Sequence, residues 1–153
     1  RTFRQAQVYL KEKNSLLPLS KKELYLAGLL LYWGEGAKTT PSATSLSNTN
    51  PKIVKFFVYW LKEILKIPMS KIMVKIHLYS DMNINQETEY WSSILKLPIT
   101  QFKKPYIKQS TLSGLTYKSF GHGTCNIMVY NRDLTEKIIQ GINVISDRYS
   151  NLT

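Results

Sequence analysis

The sequence predicts an α+β domain in which an antiparallel sheet carries its helices on one face. Two observations predict it. Segments 71–79, 104–110 and 124–130 alternate apolar and polar residues, the period of two that a half-buried strand requires. Around them lie segments with helical periodicity and recognisable start and stop residues. Strands with one oily side and one wet side need cover on the oily side alone, which places the helices on a single face.

The elements follow in order. "RTFRQAQVYLKEKNSL" reads as a polar, basic helix with few apolar anchors. Residues 1–19 are therefore assigned as a basic N-terminal helix or linker, ahead of one domain over 20–147 and a polar tail over 148–153. Ser20 followed by Glu23 is a capping box, so the first core helix runs from about Lys21 to Glu35 and ends at Gly36. "AKTTPSATSLSNTN" is short and polar, and predicts a small hairpin turning at Pro41 and Ser42. Asn50 as N-cap and Pro51 at the first helical position open a second helix, which Pro68 ends. "KIMVKIHLYS" is a strand, "NQETEYWSSILKL" a helix stopped by Pro98, and "KKPYIKQS" strand-like. "LTYKSF" and "TCNIMVYN" form a hairpin around "GHG", and "RDLTEKIIQGINVI" closes the domain as an amphipathic helix. Segment 59–80 also echoes 90–110, each being a helix, a proline break and a basic strand. Two copies are too few for a solenoid, and shared helix-stop grammar is the competing explanation.

The 153 residues suffice for one hydrophobic core, and 43% hydrophobic content excludes a disordered chain. The longest apolar run is about a dozen residues, too short to span a bilayer, so no membrane partner is expected. The N-terminus is basic but polar, unlike a secretory signal. The single cysteine, Cys125, excludes an internal disulfide and a cysteine-based zinc site, and points to a reducing compartment. The location expected is the cytoplasm, at the nucleoid, or an organelle matrix if the gene is organellar. Twenty-one Lys and Arg against ten Asp and Glu give a net charge of +11, which suits a polyanion, nucleic acid before membrane. Two histidines without an acidic cluster argue against zinc, and no glycine-rich nucleotide loop is present.

The strands carry that charge on one side. Met73, Lys75, His77 and Tyr79 share a face, against Ile72, Val74, Ile76 and Leu78. Lys104, Tyr106, Lys108 and Ser110 share another basic, aromatic face, and Thr124, Asn126, Met128 and Tyr130 oppose Cys125, Ile127 and Val129. Lysines there neutralise phosphates and polar groups reach base edges; a plain solvated sheet face has a similar composition.

"LYLAGLLLYWGEGAK" is the second informative stretch. On a helix, Leu24, Ala27, Gly28, Leu31, Gly34 and Glu35 fall on one stripe of about 120°. Glycine costs up to ~1 kcal/mol against alanine in a helix, so two in one stripe ask for a packing reason. No other segment carries a matching small-residue stripe, and the simplest partner is the same helix of a second copy about a two-fold axis. Leu24, Ala27, Gly28, Leu31 and Gly34 would then form the dimer interface. Two Glu35 carboxylates would emerge side by side, and a divalent cation such as Mg²⁺ would relieve their repulsion. The alternative is a solvated glutamate, placed unfavourably at a helix C-terminus.

"LAGLLLYWGEG" resembles the motif helix of the LAGLIDADG homing endonucleases, with Glu35–Gly36 in place of the final acidic–Gly pair and Gly34 as the small residue before it. "SLSNTNPKIVKFFVYWL" resembles the family's second-strand and second-helix signature. "LLLYWGEGAK", "IHLYS", "QFKKPYIK" and "HGT" look like patterns of a bacterial single-motif group, over roughly residues 20–145. The resemblance implies an αββαββα core, here with an extra helix over 85–97, and a saddle-shaped antiparallel sheet facing DNA. It implies a homodimer bound to double-stranded DNA and, in many members, an upstream helix-turn-helix module. The metal ligands carry over to the Glu35 carboxylate and the Gly34 carbonyl. Glu35 is the expected catalytic acid, with Lys108 and Gln109 beside the scissile phosphates. The DNA-facing set becomes Lys38, Thr39, Thr44, Ser47 and Asn48 from the first hairpin, and Lys75, His77 and Tyr79 from the next strand. Lys103, Lys104, Tyr106, Lys108 and Lys118 complete it. The expected activity is Mg²⁺-dependent hydrolysis of DNA phosphodiesters. A non-cleaving DNA-binding regulator and an RNA maturase are the other readings of the same fold.

Overall fold

The structure, a computed structural model, describes residues 1–109 and 121–151. It is an α+β fold of five α-helices and a four-stranded sheet among the described residues: α1 (Phe3–Leu16), α2 (Lys21–Glu35), β1 (Thr44–Asn48), α3 (Pro51–Tyr59), β2 (Met73–Tyr79), α4 (Ile84–Leu95), β3 (Tyr106–Lys108), β4 (Thr124–Val129) and α5 (Arg132–Tyr149). The segment "LTYKSF" expected to pair with β4 lies outside the described residues.

The strand order is β1-β4-β2-β3. β4 pairs antiparallel with β1 and with β2, but β2 and β3 run parallel, with His77 opposite Tyr106 and Tyr79 opposite Lys108. The sheet is therefore mixed, which corrects the antiparallel expectation. The reason is the intervening α4: after β2 the chain returns through a helix, and a helical crossover delivers the next strand parallel to the first.

Local signals act as their chemistry dictates. Ser20 and Glu23 exchange hydrogen bonds at the start of α2, at 3.1 and 3.0 Å, and hydrogen bonding from the Ser20 backbone N–H, then from its side chain, holds the Glu23 carboxyl below its usual range. Asn50 caps α3, with Pro51 at its first position. α3 runs on into a π-helical turn, Trp60–Ile64. The echo between 59–80 and 90–110 is structural: Lys66 (φ 57°) and Lys96 (φ 54°) end the two helices in the left-handed region. Each is followed by proline, a 3₁₀ turn (Met69–Lys71, Ile99–Gln101) and one of the parallel strands. The first hairpin keeps its turn at Pro41 and Ser42, but its leading arm shrinks to a bridge between Gly36 and Leu46. A side chain does the rest of the pairing: the Tyr32 hydroxyl donates to Ala37 O at 2.5 Å and accepts from Ser45 N at 3.1 Å.

The oily face expected from alternation is the core. Ile72, Val74, Ile76, Leu78, Cys125, Ile127 and Val129 are buried, under Tyr32, Phe57, Trp60, Trp91 and Ile138 from the helices. Burial in this core pushes the Cys125 thiol well up, leaving it a small hydrophobe. Gly28 is part of the same packing. A Cβ built on it would lie 1.9 Å from Trp60 Cε2 and 2.0 Å from Trp60 Nε1. The Gly28 notch expected to receive a second copy is thus filled by Trp60 of the same chain, and Leu31 packs on the core. Gly36 is glycine for a comparable reason: its φ is −78°, but a Cβ would meet the Tyr32 ring at 2.4 Å. α1, with its own capping box between Thr2 and Gln5, buries none of its residues.

Candidate nucleic-acid interface

The sheet face opposite the core is assembled from four strands by the pairing register. Ser45 and Ser47 stand beside Met128 and Asn126 of β4; Asn126 and Met128 stand beside Lys75 and Met73 of β2; His77 and Tyr79 stand beside Tyr106 and Lys108 of β3. The predicted Lys75, His77, Tyr79, Ser47, Tyr106 and Lys108 therefore share one face. The Asn126 amide nitrogen donates to Ser45 Oγ at 2.7 Å and Ser47 Oγ at 2.6 Å, fixing that side chain near the β1 edge. Lys103 sits over the Tyr130 ring at 4.6 Å and donates to its hydroxyl at 3.1 Å, so a further cation and aromatic pair joins the face. His77 packs against Tyr106 with ring centroids 5.4 Å apart. Partial burial, and then the Lys75 ammonium, hold the His77 imidazole below its ordinary pKa, so at neutral pH the ring is uncharged.

The first-hairpin residues divide. Lys38 and Thr39 are exposed, and the Lys38 ammonium donates to Gly36 O at 2.5 Å. Thr44 is fully buried. Its hydroxyl lies 2.9 Å from that of Thr135, which itself donates to Asn131 O, so Thr44 is the donor. Thr44 ties β1 to α5 and does not reach the wet face, a correction to its expected role. Asn48 shares the core-side row with Thr44 and Leu46, and its amide donates to Glu35 Oε2 at 3.2 Å. The alternation of β1 contained this result; the short polar run hid where the strand began. Lys104 and Gln109 are exposed, and Lys118 lies outside the described residues.

Glu35 is exposed at the end of α2. The expected catalytic companions do not gather around it within one chain. Glu35 adjoins β1, whereas Lys108 belongs to β3 at the opposite edge of the sheet, three strand spacings or roughly 14 Å away. Among the described residues no three His, Cys, Asp or Glu side chains come together as a metal-holding group. Along α2 the exposed apolar residues are Leu26, Leu30 and Trp33, spaced four and three apart and so on one side of the helix. Gly34 borders that stripe, with no heavy atom within 4 Å of the position its Cβ would take.

His122 is a residue that sequence reasoning passed over as a loop tip. Its Nδ1 lies 2.7 Å from Glu87 Oε2. Its ring stacks on Tyr90 at 3.4 Å, and its carbonyl accepts from the Trp91 indole at 2.9 Å. Gly121 (φ 62°) and Gly123 (φ 79°) adopt the left-handed backbone on either side of it, and α4 holds it through residues one turn apart. No helix of the described residues is long and apolar enough to cross a membrane. Compared with protein-family models, curated proteins and solved structures, the chain matches none.

Proposed function

We propose that the chain is one subunit of a homodimeric, divalent-metal-dependent DNA endonuclease of the LAGLIDADG type. The observation that carries the reading is the exposed end of α2. Leu26, Leu30 and Trp33 form an exposed apolar stripe on α2, and that helix ends at Gly34 and the exposed Glu35 carboxylate, against the β1 edge of the sheet. Exposed apolar residues in a row along a helix call for a partner, and a second copy joined along this stripe would set the two α2 helix ends near one dyad, each ending on an exposed Glu35. The element order supports the reading in its first half: if the Gly36 bridge counts as a strand, α2 to α3 follow αββα, and β2 to α5 then add α4 and one strand to the expected ββα.

One chain offers a single carboxylate at this place, so a metal fits only the pooled oxygens of two copies, Glu35 and the Gly34 carbonyl from each. Those hard donors suit Mg²⁺. A divalent ion held there supplies charge neutralisation at the phosphodiester and an acidified water. The chain's own residues do the remainder. Asn48 orients the Glu35 carboxylate through its amide. Lys38, anchored on Gly36 O, adds positive charge at the same spot. Lys75, Lys103 and Lys108 bind phosphates along the sheet and fix the strand's register.

The distance of Lys108 from Glu35 favours a second reading, in which the same dimer binds DNA without cutting it. The test is conversion of supercoiled plasmid with Mg²⁺ by wild type and by Glu35→Gln, with gel-shift binding measured in parallel. Cutting by wild type alone, with equal binding by both, supports the nuclease. Tight binding without cutting by either supports the binder. A protein that stays monomeric on DNA removes the basis of both.

A further inference from the structure

We propose that a cavity at the β2–β3 end of the sheet face receives a single unpaired nucleobase of a bound DNA strand, with its phosphate on Lys108. The inference rests on the reading of this face as nucleic-acid-binding and names what one part of it takes.

The cavity arises from the register. Across the sheet, Thr124, His77 and Tyr106 form a complete row. In the next row Tyr79 stands beside Lys108, and β4 contributes nothing, because its ladder with β2 ends at Thr124. The two positive-φ glycines take the chain out of the ladder at this point. Gly123 runs so close to β2 that a Cβ would fall 2.6 Å from His77 O. His122, which would otherwise stand in that row, is turned to α4 and held by Glu87 and Tyr90. The space left has a volume of about 340 Å³ and is lined by His77, Leu78, Tyr79, Tyr106, Lys108 and Thr124. That is within the roughly 300–1,000 Å³ usual for small-molecule sites.

Its chemistry selects the ligand. The walls offer aromatic faces, with Tyr106 53% exposed, one ammonium, the hydroxyls of Thr124, Tyr79 and Tyr106, and no carboxylate among the described lining residues. A cation without an opposing acid suits a phosphate. Aromatic faces suit a base whose own face is available, which a base inside a duplex stack is not. The uncharged state of His77 at neutral pH fits stacking and hydrogen bonding in preference to phosphate pairing.

Fluorescence anisotropy on labelled DNA tests this with a paired duplex, the same duplex carrying a one-nucleotide bulge, and a bulge whose nucleotide is abasic. The base-bearing bulge should bind about tenfold more tightly than the other two, the usual scale for one stacked base. Tyr106→Ala should erase that gain, bringing the base-bearing bulge down to the level of the other two probes; being exposed, Tyr106 is removable without unfolding the protein. An abasic bulge that binds as tightly as the base-bearing one overturns the inference, as does a Tyr106→Ala loss equal on all three probes. In both cases the nucleic-acid reading stands. Absence of binding to any probe at low salt overturns that reading and the inference with it.

Discussion

Gly28 decides between two accounts of α2, and replacing it with alanine separates them. The new Cβ would sit 1.9, 2.0 and 2.2 Å from three atoms of the Trp60 indole. Relief to the shortest ordinary contact of 3.4 Å requires a retreat of about 1.5 Å. The indole has no room for it: the residue is fully buried and packed with Tyr25 at 6.1 Å and Phe57 at 6.0 Å between ring centroids. Overpacking of this kind costs about 1–3 kcal/mol, or more against rigid neighbours. Helix propensity returns at most ~1 kcal/mol. The expected net loss is about 2 kcal/mol, or roughly 4–8 °C in Tm for a chain of this size. Gly34→Ala is the internal control. Nothing lies within 4 Å of its Cβ, so within one chain it should hold or raise Tm by up to a few degrees. Thermal and urea unfolding of both variants at low protein concentration provides the comparison. A Gly28→Ala protein as stable as wild type, but impaired in self-association, would refute the packing argument and restore Gly28 to a subunit interface.

Other outcomes follow from single contacts. Leu30→Glu charges the exposed stripe of α2; at low protein concentration it should leave Tm within about 2 °C, since surface changes stay within ~0.5 kcal/mol, and it should abolish the proposed dimer in light scattering. Tyr32→Phe strands Ala37 O and Ser45 N without their shared hydroxyl and should cost about 1–3 kcal/mol in urea unfolding. Lys66→Gly and Lys96→Gly remove Cβ strain at positive φ and should each stabilise the fold by roughly 0.5–1 kcal/mol. In NMR titration the His77 midpoint should lie below 6.5 and rise in Lys75→Gln, because the ammonium is the second cause of the depression. The native state binds this proton less tightly than the unfolded chain, so the group's contribution to stability is full above pH 6.5 and falls as pH drops through the folded midpoint. An unchanged midpoint in Lys75→Gln would remove the electrostatic part of that account.

The sequence by itself determined whatever is encoded locally. Ser20 with Glu23, Asn50 with Pro51, and the prolines at 68 and 98 marked helix limits because caps and missing N–H groups act over a few residues. Strict alternation in 71–79 and 124–130 identified the core and wet faces, since a strand has only two sides. α2 was different: with Leu24, Leu26, Leu29, Leu30, Leu31 and Trp33 it is apolar nearly all round, so composition cannot say which side is buried. Only the tertiary structure placed Trp60 in the Gly28 notch and left Leu26, Leu30 and Trp33 exposed. Strand direction was likewise undecided locally, because β2 and β3 become parallel through the return path of α4. Thr44, Asn48 and the pairing of His122 with buried Glu87 belong to the same class. Each depends on residues 13 to 91 positions apart in the chain, brought together by sheet register and helix packing that no local pattern specifies.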